Sequence, residues 1–318
     1  MKGDAAAARR VTAPAPEVPR PLSELAPVFL YRAGAELAPY VPSTLGVPVA
    51  RAVSRAVSRI TPQRRQQVER NLARVSGGRL EGPALRRAVA ETFDSYGRYW
   101  WELFHLPADL RGNAIDHQVV LEGSAHLADG IAAGRGVVVA LPHVGGWEVG
   151  GAWLARRGFS PAAVAEPVEP ADLFQWFVDV RREAGIDVVP LGRDAGSELI
   201  SILREGRIIT LLCDRDILGN GVEVEFFGER TTLPSGPALL ALRTGAALLP
   251  AAVYFTPRGG HRAVILPPVP TEREGRLRDD VQRVTEAMAG RLEELIRVAP
   301  EQWHLMQPNW PSDRNGSS

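Results

Sequence analysis

Cysteine is almost missing from this chain of 318 residues. Cys213 stands alone, so neither an intramolecular disulfide nor a thiolate zinc site can form, which fits a cytoplasmic setting. Charge of one sign is not in excess: Lys+Arg and Asp+Glu number 37 each, so there is no global basic field and no nucleic-acid partner is expected. No run approaches the roughly 20 apolar residues that span a bilayer, so membrane contact is expected to be peripheral. Residues 1–20 are rich in Ala, Pro and Arg, lack the continuous apolar stretch of a signal peptide, and read as a disordered tail. There is no Gly-x-Ser-x-Gly elbow and no phosphate-binding P-loop, which removes the standard serine-hydrolase and NTPase readings. His105, His117, His126, His261 and His304 lack the spacing of metal ligands, so no metal is expected.

Apolar residues are plentiful. At 45% hydrophobic, the chain can bury a sizeable core. Residues 21–117 read as a helical region, with helical periodicity in 22–40, 49–60, 61–75 and 83–106. Arg51, Arg55, Arg59, Arg64 and Arg65 crowd one stretch of it, either as a solvated face or as a face for anionic lipid headgroups. Aromatics cluster late in this region, from Phe93 to Phe104, and read mainly as core packing.

From 118 to 312 the pattern turns to strand–helix alternation. Strands are expected at 119–122, 136–141, 160–165, 187–191, 208–213, 222–227, 247–255 and 261–266. Helices are expected at 146–157, 170–184, 197–205 and 235–244, with a last amphipathic helix carrying Val281, Val284, Met288, Leu292, Leu295 and Ile296. That order predicts an α/β fold: a central, mainly parallel sheet flanked by helices on both faces, with a helical N-terminal region. Residues 21–312 are expected to form one domain, and 313–318 a loose end.

Chemistry is expected where strands end. The apolar segment Gly136–Leu141 is followed by Pro142-His143-Val144-Gly145-Gly146-Trp147-Glu148. Ligands of open α/β sheets gather beyond the carboxyl ends of strands, and His143 sits there. Gly145 and Gly146 permit a tight turn and close approach to backbone, and Glu148 falls in the first turn of the next helix, where the dipole favours a carboxylate. A second apolar strand runs directly into Asp214-Arg215-Asp216. If the two strands are neighbours, Asp214 can reach the imidazole, fix its tautomer and raise its basicity, as a general base for a hydroxyl requires. Cys213 lies inside the apolar run and reads as an inert buried thiol.

His143-Val-Gly-Gly-Trp-Glu148 has the His-x4-acid form of the lysophospholipid and glycerolipid acyltransferase superfamily. The chain most resembles the branch of the lipid A lauroyl/myristoyl acyltransferases and the actinobacterial phosphatidylinositol mannoside acyltransferases. The likeness runs over roughly residues 65–312. It includes Arg70–Val75, Tyr96–Trp100 with Glu102 and Phe104, Val164–Glu166, Phe177–Arg181 with Gly185, Asp214–Asp216, Gly221–Glu229 and Trp303–Pro308. The resemblance implies transfer of a fatty acyl group, palmitoyl by expectation, from acyl-CoA to a mannose hydroxyl of phosphatidylinositol mannoside. The reaction is expected at the cytoplasmic face of the cell membrane, with the protein peripheral there. No cofactor is implied beyond acyl-CoA as co-substrate. By position, His143 takes the family's catalytic histidine, Asp214 its paired acid (commonly Glu in that branch) and Glu148 the acid of the motif. Glu166, Arg181 and Arg215 are expected to bind substrate. Direct transfer follows, with the oxyanion met by N–H groups of the glycine turn or by Arg181. The competing readings are another acceptor, such as a lysophospholipid, another glycolipid or a secondary metabolite; hydrolysis of acyl-CoA; and a lipid-binding protein without turnover.

Overall fold

The computed structural model describes residues 31, 33–112, 114–167, 171–257 and 259–314. The tail expected over 1–20 and most of the helix expected from residue 22 lie outside them. The helical region comprises α1 (Ser43–Ile60), α2 (Pro62–Val75), α3 (Gly82–Arg111) and the short α4 (Ala114–Gln118).

The remainder is built on β1 (Val119–Glu122), α5 (Ser124–Ala132), β2 (Val137–Leu141), α6 (Trp147–Arg156), β3 (Ala162–Ala165), α7 (Ala171–Glu183) and β4 (Asp187–Pro190). There follow α8 (Ala195–Arg204), β5 (Ile208–Leu212), β6 (Val222–Phe226), β7 (Glu229–Leu233), α9 (Gly236–Thr244), β8 (Ala247–Phe255), β9 (His261–Ile265) and α10 (Leu277–Val298). Helix α5 has no counterpart in the sequence expectations. Seven strands form one sheet in the order β1-β9-β8-β2-β5-β3-β4, parallel throughout except between β8 and β9.

Strand β2 is buried on both faces, which is why it reads as an unbroken apolar run and not an alternating one. Val138 and Ala140 pack with Leu199, Ile202, Leu240 and Leu292 from α8, α9 and α10. Val137, Val139 and Leu141 face the other way, toward Leu127 of α5 and Leu154 of α6. Helices therefore cover both faces, as the alternation predicts.

Two expectations change. The segment 222–227 is not part of the main sheet: β6 pairs antiparallel with β7, a strand the sequence reading does not contain. Phe227 and Gly228 join them, both at positive φ (52° and 77°), the geometry of a primed two-residue hairpin turn. The loose end expected from 313 does not begin there either. Asp313 is buried and accepts hydrogen bonds from Gln67 Nε2 (2.8 Å) and the Asn309 N–H (3.0 Å). Charged Arg74 also reaches it at 2.7 Å.

Candidate active site

Parallel pairing places the site. Leu141 at the end of β2 lies opposite Leu212 at the end of β5, so the residues two positions beyond each strand, His143 and Asp214, emerge side by side. The Cys213 N–H bonds the Leu141 carbonyl at 2.8 Å and carries the pairing one step past the strands. His143 Nδ1 then meets Asp214 Oδ1 at 2.6 Å. The condition attached to Asp214, that its strand neighbour the one before His143, is met.

Asp214 is fully buried, whereas the His143 side chain keeps 24% of its surface exposed. Burial alone would raise the Asp214 carboxyl. The His143 charge and the hydrogen bonds from His143 and from the Trp303 indole outweigh it and hold the carboxyl below its ordinary value. An ionised Asp214 accepts a hydrogen bond from Nδ1–H, which leaves the His143 Nε2 lone pair free to act as a base.

The turn after His143 is threaded between β8 and the segment 302–304. Gly145 has φ +63°, and a Cβ there would come within 2.1 Å of the Val253 carbonyl oxygen, so only glycine fits. Its N–H donates to the Gln302 carbonyl at 3.0 Å, the Gly146 N–H to the Val253 carbonyl at 2.9 Å, and the Val144 N–H to the Pro142 carbonyl at 2.7 Å. These donors are consumed in holding the turn, so the expectation that they meet an oxyanion does not survive. Arg181 is also engaged. Its Nη2 donates to Glu148 Oε1 at 2.5 Å and its Nε to Oε2 at 3.1 Å. Glu148 is thus tied to Arg181 and not to His143. Burial disfavours the guanidinium charge, but Glu148 more than restores it and raises the Arg181 value.

Glu166 and Arg215 follow the carboxyl ends of β3 and β5 and approach to 3.9 Å, both partly exposed. Cys213 is buried, and burial followed by the nearby Asp214 charge pushes its thiol well up, so it is inert. The Trp147 ring stands edge-on to the His143 ring at 5.5 Å and stacks on Tyr99 at 4.3 Å. Its buried Nε1 has no hydrogen-bond partner among the described residues. An apolar pocket lies between α6 and the sheet, walled by Leu141, Trp147, Gly150, Trp153, Ala251 and Val253 among others, with Glu148 and Arg181 at its edge.

Sequence reasoning missed the residues that grip Asp214 from a distance. The Trp303 indole N–H donates to Oδ2 at 2.7 Å, and Asn309 Nδ2 donates to the Asp214 carbonyl at 2.9 Å. Trp303 figured there only within a stretch of family likeness, since its separation of 89 residues gives no local signal.

Comparison with known proteins follows the same lines. The family model for bacterial lipid A biosynthesis acyltransferases matches residues 21–312. The chain is 40% identical over 259 residues, 79% of each chain, to the phosphatidylinositol mannoside acyltransferase of Mycobacterium tuberculosis (strain ATCC 25618 / H37Rv). It is 37% identical over 290 residues, 89% of this chain and 91% of the other, to that of Mycolicibacterium smegmatis (strain ATCC 700084 / mc(2)155). With the match covering nearly the whole described structure, this chain belongs to the bacterial lipid A biosynthesis acyltransferase family and is an acyltransferase.

Proposed function

We propose that this acyltransferase moves a fatty acyl group, palmitoyl by preference, from acyl-CoA to a mannose hydroxyl of phosphatidylinositol mannoside, without a further cofactor. The His143–Asp214 pair carries the reading: a partly exposed imidazole is joined at 2.6 Å to a buried carboxylate. His143 Nε2 takes the proton of the acceptor hydroxyl as its oxygen attacks the thioester carbonyl. The C–S bond then breaks, and the proton on His143 passes to the departing CoA thiolate. Among the described residues, the Cys213 thiol next to the pair is buried and held protonated, so it offers no nucleophile. Transfer is therefore direct. The free indole N–H of Trp147 donates to the developing oxyanion.

The apolar pocket under α6 suits the acyl chain, since Leu141 and Trp147, which flank the His143 turn, belong to its wall. Arg215 and Glu166 at the partly exposed rim suit the polar parts of the substrates. The names of the mycobacterial relatives supply the acceptor.

Among the described residues no helix is long and apolar enough to cross a membrane. Exposed Leu45, Val49, Val53 and Ile60 form a stripe along α1, with exposed Arg51 and Arg59 on the same helix. That face suits peripheral attachment to an anionic leaflet, on the cytoplasmic side where acyl-CoA is found.

Incubation with labelled palmitoyl-CoA and a panel of acceptors tests the reading. Label is expected in mannosylated phosphatidylinositol. Label in lysophospholipid alone would replace the acceptor, and full-rate CoA release without any acceptor would replace the reaction. The His143→Ala variant is expected to lose roughly 10²–10⁴-fold in rate.

A further inference from the structure

Only one oxygen of the Asp214 carboxylate faces the His143 ring. The other, Oδ2, accepts two N–H groups: the main chain of His143 at 3.0 Å and the Trp303 indole at 2.7 Å. Trp303 is 2% exposed and lies beyond the last long helix, in a segment laced to both sides of the pair. The His304 N–H bonds the His143 carbonyl at 2.8 Å, Val144 and Trp303 form an isolated antiparallel bridge, and Asn309 Nδ2 holds the Asp214 carbonyl at 2.9 Å.

These contacts meet a physical requirement. An ionised carboxylate taken wholly out of water must have its lone pairs filled, or it protonates instead. It must also not rotate, because the oxygen facing Nδ1 fixes which ring nitrogen carries the proton. Two donors on Oδ2 lock the carboxylate plane. The indole N–H can only donate, so it favours the charged form of Asp214 and can never compete for its proton. A hydroxyl or amide in that place could turn and offer an acceptor.

We propose that Trp303 is a positioning residue that fixes the plane and charge of Asp214, and through Asp214 sets the basicity of His143. This rests on the reading of His143 as the general base. Donation from Trp303 draws off carboxylate charge that would otherwise hold the imidazolium proton. Without it, Asp214 binds that proton more tightly and His143 releases it at higher pH.

Two neighbouring titratable groups are each held in one state. The Cys213 thiol is pushed up by burial and by Asp214, and His304 is held neutral by burial and by the His143 charge. Glu148 is committed to Arg181. The acid limb of the pH–rate profile therefore reports on the His143–Asp214 pair.

The experiment replaces Trp303 by phenylalanine and, to keep the ring shape, by 3-benzothienylalanine, an analogue with sulfur in place of the N–H. Steady-state transfer from palmitoyl-CoA is followed against pH, beside thermal unfolding. Both replacements are expected to lower kcat about 10- to 100-fold, as for loss of a hydrogen bond to a charged group. The KM for palmitoyl-CoA should hold, and the acid limb of kcat/KM should move to higher pH. A benzothienyl protein with wild-type kcat, or with an unmoved or lowered limb, would overturn the proposal and leave Trp303 a packing residue, whether or not the phenylalanine variant folds. A His143→Ala protein at near-normal rate would instead remove the base reading itself, so the two failures are told apart.

Discussion

Asp214 and Glu148 are both buried carboxylates beside the glycine turn, and each holds a nitrogen base. Asp214 holds an imidazole that can give up its proton and keeps a partly exposed face. Glu148 holds a guanidinium that does not deprotonate in the working range, in a bidentate clasp on the edge of an apolar pocket. The first pair can move a proton, and the second can only fix shape and charge. Distance along the chain misleads here: Glu148 lies five residues from His143 but serves Arg181, while Asp214 lies 71 residues away and serves the ring.

The sharpest way to break this contrast is Asp214→Asn. The amide keeps the size but not the charge, so the imidazole loses its tautomer lock, and kcat is expected to fall about 10²–10⁴-fold with the fold retained. Steady-state rates beside a circular-dichroism melt check this, and near-normal transfer would dissolve the contrast.

Glu148→Gln should do the opposite and strike stability first. It leaves the Arg181 cation buried without a counter-charge, a loss of about 3–5 kcal/mol in urea unfolding. The double change Glu148→Leu with Arg181→Met should recover most of that. An unchanged urea midpoint for the single variant would show that the clasp holds nothing together.

Trp147→Phe keeps the stack on Tyr99 and removes the free N–H. If that group meets the oxyanion, kcat falls about 10²-fold with little change in unfolding free energy. Equal rates would return the oxyanion to other donors.

The smallest effect concerns a second histidine. Burial, then the His143 charge, lowers His304 to about 3, so the folded protein keeps it neutral where the unfolded chain, with an ordinary value near 6.5, takes up a proton. Its contribution to stability is present above about pH 6.5 and is lost as pH falls toward 3, on the order of 2 kcal/mol by pH 5. His304→Phe should flatten that slope in denaturant titrations at pH 7 and 5. An unaltered slope would place the acid sensitivity elsewhere.

Much of this could be read from the chain because strands and their ends leave local marks. The run Val137–Leu141 announces a strand buried on both faces, and a histidine and a charged triplet directly beyond such runs announce the edge where ligands bind. The adjacency of β2 and β5 could be stated only as a condition, because strand order is a long-range property. The β6–β7 hairpin escaped for a local reason. Its turn begins with Phe227 at positive φ, where glycine or asparagine is the usual signal, and the Phe227 N–H is held by Glu293 from α10. The tightness of the glycine turn is legible in Gly145 and Gly146. The fate of its N–H groups is not legible, because their acceptors, Val253 and Gln302, lie more than 100 residues away. The Arg181–Glu148 clasp and the Trp303 contact are side-chain meetings between distant elements, for which composition and periodicity leave no trace.

The grip of Trp303 on Asp214 also bears on the order of synthesis. His143 and Asp214 leave the ribosome well before residues 303–309, and a nascent chain gains its N-terminal parts first. Until that stretch is made and folded back, the carboxylate lacks its indole donor and the turn lacks its Gln302 acceptor. An unfinished or C-terminally clipped copy thus carries both reacting side chains without the brace that aligns them. Competence arrives only once residues 302–309 have been made and docked, an order of events written into where one tryptophan falls relative to the pair it braces.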